Sequence, residues 1–158
     1  MKYSHRGVLT QCIGATAILC LGLAACDRVP TDRHDAPSIV GTWMVKVPDA
    51  PFPMHMFIFH SDGTVIQSNP DAGDPNTSDS NAMGAWVADH DEIRGKIVEV
   101  TADRTTRAFA TRGEISFVLK VAGDALSGTA SAVFYDAGGQ KLRGPLQSAM
   151  EGQRVLPQ

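Results

Sequence analysis

The chain has 158 residues, a formal net charge of −3 and an apolar fraction of 43%, which is enough for one domain with its own core. Its basic residues form no patch or run, so the sequence does not predict a nucleic acid as a partner. All three cysteines lie within the first 26 residues, so we expect no disulfide in the folded part of the chain.

Residues 1–25 have the pattern of a secretory signal peptide. Lys2 and Arg6 form a short basic start, and an apolar run from Val8 to Ala25 follows them. The run ends in "LAAC", which resembles the bacterial lipobox, where the cysteine is acylated and becomes the first residue of the mature protein. This resemblance predicts that Cys26 carries palmitate-type acyl chains, which hold a protein at a membrane.

The residues after Cys26 predict a tether and a location. Asp27 resembles the signal that keeps enteric lipoproteins at the inner membrane. We therefore expect an exported protein, anchored to the cell envelope on the periplasmic side. Residues 26–38 are polar and contain proline, which is typical of a linker, and residues 39–158 form the expected domain.

From residue 39 onward, short runs rich in β-branched and aromatic residues alternate with Gly and Asp turns. No segment has the pattern of an amphipathic helix. The predicted strands are Val40–Val47, Met54–His60, Thr64–Ser68, Gly84–Ala88, Ile93–Thr101, Gly113–Val121, Leu126–Asp136 and Leu146–Val155. Their regular spacing predicts an all-β domain, and the succession of hairpins favours an eight-stranded antiparallel up-and-down barrel over an open sandwich.

The first and last strands carry a family resemblance. Gly41-Thr42-Trp43 resembles the G-x-W signature of the calycins, the lipocalins and their shorter relatives. In that family the tryptophan packs across the closed end of the barrel, under a basic side chain from the last strand. Arg154 stands where that partner would be. The resemblance implies a lipocalin-like barrel that holds a small hydrophobic molecule.

Several side chains are candidates for the interior of such a barrel. His55 shares a strand face with Phe57 and Phe59, which suits an apolar cavity with one orienting polar group. Glu99 and Glu114 lie within strands, and an inward carboxylate could act with His55 as a tentative acid/base pair. The sequence leaves open whether these three residues instead face solvent. The remaining candidates for ligand contact are Trp86, Phe117 and Phe134.

Residues 69–81 hold no large apolar residue but several Asp, Asn and Pro. We consider three interpretations: a calcium loop, a flexible spacer, and a lid over the barrel mouth. The calcium-loop spacing does not match, and unstructured loops of this length are often functional. We favour the lid, with Asn69, Asp79, Ser80 and Asn81 nearest its hinges.

Three functions remain open. The first is a carrier for a small, mostly apolar ligand. The second is a barrel enzyme of the cyclase, isomerase or lyase type, since allene oxide cyclases resemble such barrels. The third is a structural module or a protease inhibitor, because some bacterial metalloprotease inhibitors share this architecture. No known catalytic, nucleotide or zinc motif is present, so we predict no cofactor and no metal.

Overall fold

The computed structural model describes residues 38–69, 71 and 74–158. The predicted signal peptide, Cys26 and nearly all of the predicted tether lie outside these ranges. Within them every regular element is a strand, and no helix is long and apolar enough to cross a membrane. The strands are β1 Gly41–Lys46, β2 Met54–Phe59, β3 Thr64–Ser68, β4 Thr77–Asp79, β5 Ala82–Asp89, β6 Glu92–Asp103, β7 Phe109–Ala122, β8 Ala125–Tyr135 and β9 Lys141–Arg154.

Eight of these strands close into an antiparallel barrel, so the predicted fold class is confirmed. Successive strands pair with each other around the barrel in the order β1, β2, β3, β5, β6, β7, β8 and β9. Antiparallel pairing of β1 with β9 closes the ring, with Trp43 opposite Arg154. Closure leaves these eight strands without a free edge.

Two features of the barrel differ from the prediction. The loop after β3 contains the short strand β4, which pairs with the end of β6 that β5 does not reach. The last strand also begins at Lys141, whereas the sequence predicted a start at Leu146 after a break at Pro145. Pairing of β8 with β9 is irregular between Ala132 and Tyr135, and this irregularity accommodates the proline that a regular strand would exclude.

The barrel has a closed end and an open end. At the closed end lie Ile39 and the turns 60–63, 90–91 and 123–124. At the open end lie the longer connections 47–53, 69–81, 104–108 and 136–140. The inward faces of the strands fill the closed half with a hydrophobic core, whose most deeply buried side chains include Trp43, Phe59, Ile97 and Leu119.

The side chain of Arg154 covers the core at the closed end. Its guanidinium carbon lies 4.2 Å from the centre of the Trp43 ring system, so the contact expected from the sequence is present. The guanidinium also donates hydrogen bonds to the carbonyl oxygens of Val40 at 2.7 Å and Ser38 at 2.5 Å. Trp43 Nε1 donates to the carbonyl of Ile39 at 2.8 Å. These bonds fix the segment that enters β1 against the base of the barrel.

A glycine on β6 lets an aromatic ring reach the middle of the barrel. The ring of Phe117 lies directly over Gly95, where an added Cβ would be 2.2 Å from Phe117 Cζ. Any residue larger than glycine at position 95 would occupy the space that the Phe117 ring fills. The Phe117 ring therefore separates the packed closed half from the open half.

Candidate functional site

The open half of the barrel contains a cavity of about 1180 Å³. Side chains of the barrel strands line its depth, and residues of the open-end connections line its mouth. The lining divides into an apolar floor and a polar wall. Residues of the floor and sides are Phe57, Ile115, Phe117, Ala130, Ala132, Phe134 and Met150.

Two phenylalanine rings of the floor, Phe57 and Phe117, pack on Phe59 below them and so join the floor to the core. Phe57 and Phe59 are stacked, with ring centres 5.9 Å apart. Phe117 meets both of them edge to face, at 6.5 Å from Phe57 and 6.0 Å from Phe59. Such arrangements hold aromatic rings in fixed orientations. The floor is therefore a rigid apolar surface.

The polar wall is a chain of four hydrogen-bonded side chains, His55, Gln67, Asn69 and Glu99. Gln67 Nε2 donates to His55 Nδ1 at 3.0 Å and to Asn69 Oδ1 at 2.5 Å. Asn69 Nδ2 in turn donates to Glu99 Oε2 at 2.6 Å. All four side chains line the cavity. We call this set the polar relay.

Strand periodicity explains why the relay faces inward. On β2 the side chain of His55 lies on the same face as Phe57, and on β3 Gln67 lies on the same face as Val65. On β6 Glu99 follows Ile97 by two residues and so points to the same side. Register brings β2 and β3 together, since Phe57 pairs with Gln67, and Asn69, just after β3, reaches Glu99 on β6.

Gly113 makes room for the side chain of Glu99. It lies opposite Glu99 in the pairing of β6 with β7. A Cβ at position 113 would lie 2.9 Å from both Glu99 Cγ and Glu99 Oε1, and 3.1 Å from the Phe134 ring. The carboxylate therefore lies across the glycine, between the ring of Phe134 and the amide of Asn69.

Burial shifts the protonation equilibria of the two ends of the relay in opposite directions. Desolvation lowers the pKa of His55, so its imidazole is neutral at neutral pH, and the hydrogen bond from Gln67 to Nδ1 leaves the ring proton on Nε2. Desolvation raises the pKa of Glu99, and the nearby negative charge of Asp79 adds to the effect. Burial, followed by Asp71 and Asp74, likewise raises the pKa of Asp79.

The connection 69–81 contributes to the mouth of the cavity. Asp74, Asn76, Thr77 and Asp79 line the mouth, and the lid stays a prediction. Its two ends are bonded to each other: the backbone N–H of Asn69 donates to Asn81 Oδ1 at 3.3 Å, and Asn69 Nδ2 donates to the carbonyl of Ser80 at 3.3 Å.

Arg104 holds the same connection against the barrel. Its Nε donates to the carbonyl oxygens of Asp74 and Thr77, both at 2.9 Å, and its Nη2 forms an ion pair with Asp71. Within the described ranges no three His, Cys, Asp or Glu side chains come together as a metal site. The guanidinium thus pairs with Asp71, an aspartate of the segment that the calcium interpretation concerned.

The structure brings together most of the predicted site residues. His55, Phe57, Asn69, Asp79, Glu99, Phe117 and Phe134 line the cavity. Phe59 and Trp86 lie below it, where their rings are 6.2 Å apart, and Asn81 acts through its bond to Asn69. Glu114 lies on the outer surface, where it forms ion pairs with Lys96 and Arg112. It is therefore not brought together with His55.

Three residues at or beside the site, Gln67, Arg143 and Arg104, were not predicted from the sequence. Gln67 is the centre of the relay, and its inward position could have been inferred from its spacing of two residues from Val65. Arg143 lies over the ring of Phe134 at 4.4 Å, at the mouth. Neither Arg143 nor Arg104 has a local pattern that would reveal its contacts.

No family model, no curated protein and no solved structure matches this chain. The resemblance to lipocalins therefore stays a prediction.

Proposed function

We propose that this protein binds a small, mostly apolar molecule in the cavity of its barrel. An eight-stranded barrel is just wide enough to be filled by its own side chains or to hold one small ligand. Here the side chains fill the closed half, and the cavity of about 1180 Å³ occupies the open half. Ligand sites typically measure about 300–1,000 Å³ and combine an apolar lining with a few polar groups. This cavity is the observation on which the proposal depends.

The relay gives the expected ligand a polar end. The aromatic floor accepts an apolar body, while the imidazole of His55 and the carboxylate of Glu99 are placed to bond a polar group. Polar side chains that are already bonded to each other lose little freedom on binding, which favours recognition. A molecule with an apolar body and one polar group satisfies both parts of the cavity.

The test is to fill the cavity without disturbing the rest of the barrel. Ala132 lines the cavity, whereas its neighbour Val133 has the opposite parity on β8 and does not. We expect native mass spectrometry of the protein, purified without detergent, to detect a retained small molecule or the uptake of Nile red. Ala132→Trp should abolish binding, and Val133→Trp should not. Equal binding by both variants, or none by the unmodified protein, would count against the proposal.

An acid/base enzyme is the second candidate, and the relay is the observation that favours it. An acid/base enzyme needs inward polar side chains within hydrogen-bond distance of one another, and the relay has them. However, two carboxamides separate His55 from Glu99, and amides do not readily carry a proton between acid and base. Each group would therefore act on the ligand separately. Once a substrate is found, unchanged turnover by His55→Ala would exclude an acid/base role for the imidazole.

The third candidate, a structural module or inhibitor, would be expected to have a solid interior. The cavity does not favour it.

Export and lipid anchoring remain part of the proposal. Their support is the sequence of the first 27 residues, with acylation at Cys26 and retention at the inner membrane through Asp27. Metabolic labelling with palmitate in a bacterial host tests this directly. We expect labelled protein in the membrane fraction from the natural sequence and none from Cys26→Ser.

A further inference from the structure

Glu99 and Asp79 are two of the acidic side chains that line the cavity, and neither forms an ion pair among the described residues. Glu99 accepts one hydrogen bond there, from Asn69, and no Lys, Arg or His forms an ion pair with it. Asp79 likewise appears in none of the ion pairs of the described residues. By contrast, Glu114 on the outer surface binds both Lys96 and Arg112.

Glu99 is half-buried, whereas Asp79 is exposed at the mouth. A carboxylate in a poorly hydrated place is normally paired, because an isolated charge there is costly. The negative charge of Asp79 also disfavours the ionised form of Glu99. A positive charge beside them would remove both penalties. Arg104 lies near enough to Asp79 to offset part of that cost, but no described cation acts on Glu99, so a ligand is the natural source of positive charge beside Glu99.

The residues that line the cavity carry a net negative charge, which also favours a cationic ligand. Four acidic residues line the cavity, namely Asp49, Asp74, Asp79 and Glu99, against one basic residue, Arg143. Burial also keeps His55 neutral. An anionic ligand such as a fatty-acid carboxylate would meet net repulsion here, whereas a cation would be attracted.

The aromatic floor adds a second attraction for a cation. Phenylalanine rings attract a positive charge over their faces, and this attraction strengthens where water is excluded. Phe57, Phe117 and Phe134 line the same cavity as Glu99, and the Phe134 ring lies beside the Glu99 side chain across Gly113. Aromatic rings next to an unpaired carboxylate are suited to an ammonium group.

We propose that the ligand is an organic amine, with its apolar body on the phenylalanine floor and its ammonium group beside Glu99 and Asp79. This inference rests on the proposed ligand-binding function and specifies its ligand class. Among the described side chains, the groups that face Glu99 are the amide of Asn69, the carboxylate of Asp79 and the ring of Phe134. None of these three groups is positively charged, so none of them takes the place that an ammonium group would occupy beside Glu99.

Binding of such a ligand is linked to a proton. Burial raises the pKa of Glu99, so its carboxylate takes up a proton at a higher pH than a free glutamate does. An ammonium group favours the carboxylate and therefore displaces that proton. Affinity for the amine should rise with pH as Glu99 ionises, and Asp79 should contribute in the same direction.

The experiment compares three ligands that share an indole ring and differ in their polar group. Tryptamine carries an ammonium group, tryptophol a hydroxyl group and indoleacetate a carboxylate. Binding to the full chain is measured by titration calorimetry. At neutral pH we expect tryptamine to bind at least about tenfold more tightly than indoleacetate, the range that a close charge pair provides, with tryptophol between them. Glu99→Gln should reduce the affinity for tryptamine to that for tryptophol and remove most of its pH dependence.

Glu114→Gln is the matched control, because it removes the same charge from the outer face of the neighbouring strand. It should leave the order of the three ligands unchanged. Circular dichroism confirms that both variants are folded. A preference for tryptophol or indoleacetate, or an undiminished preference for tryptamine in Glu99→Gln, would overturn the amine inference while ligand binding stands. If no ligand of the series binds and native mass spectrometry also finds none, the proposed function itself fails.

Discussion

Replacing Arg154 by alanine tests how the closed end is stabilised. The side chain is 18% exposed, so its contact with the Trp43 ring is largely desolvated and contributes about 1–2 kcal/mol. Its bonds to the carbonyls of Val40 and Ser38 are charge-assisted, at about 1.5 kcal/mol or more each. The ion pair with Asp124, which is 58% exposed, adds little.

These contributions share one guanidinium and are not fully additive, so we expect a loss of about 3–4 kcal/mol in the free energy of unfolding. For a domain of this size that corresponds to a fall of roughly 10–15 °C in the midpoint of thermal unfolding. Circular dichroism during heating and urea titration measure both quantities. Arg154→Lys should recover only part of the loss, because an ammonium group cannot reproduce the planar fork.

Arg94→Ala is the control, since Arg94 forms ion pairs with Asp89 and Glu92 but is 55% exposed. Its loss should stay below about 1 kcal/mol. If Arg154→Ala unfolded within about 1 kcal/mol of the natural protein, the guanidinium would not be the stabilising element that its geometry indicates.

Three further predictions concern the relay and the barrel wall. Glu99→Gln should stabilise the fold at neutral pH, because a raised pKa penalises the ionised form; the gain should disappear as the pH falls below the value for a free glutamate, about 4.3. Urea titrations at several pH values measure the difference in stability between Glu99→Gln and the natural protein. A gain that persisted at acid pH would contradict the prediction. Because the pKa of His55 is lowered in the folded protein, the free energy of unfolding should fall as the pH drops below about 6.5, the value for a free histidine. His55→Gln should not show this decline in the same titrations. Gly128→Ala should cost about 3 kcal/mol or prevent folding, because the new Cβ would lie 2.0 Å from the carbonyl oxygen of Val118. Gly138→Ala, whose nearest atom is at 3.4 Å, should change the stability by less than about 0.5 kcal/mol.

The barrel could be predicted because its evidence is local. Asp62-Gly63 forms the turn between β2 and β3, and the alternation of His55, Phe57 and Phe59 gives the inward face of β2. Strand β4 has no such signal, since three polar residues carry no periodicity. Its pairing depends on the length of β6, which extends past the start of β5 to Asp103.

The site could be predicted only in part, because the two glutamates needed a register to be told apart. Glu99 follows Ile97 at the inward spacing, while Glu114 alternates with Ile115 and Phe117 and so faces outward. The relay itself joins β2, β3 and β6, and no pattern along the chain shows that Gln67 reaches both His55 and Glu99. Contacts between residues distant in sequence appear only when the strands are aligned.

The chain enters and leaves the barrel at the same place. Ser38 is bonded to Arg154, and the backbone N–H of Val155 donates to the carbonyl of Thr42 at 2.9 Å, so both connections lie at the closed end. A group joined to the chain before Ser38 or after Val155 is therefore attached about one strand length away from the mouth. A surface, an affinity tag or a neighbouring protein could therefore hold the molecule by its base while its entrance stays accessible.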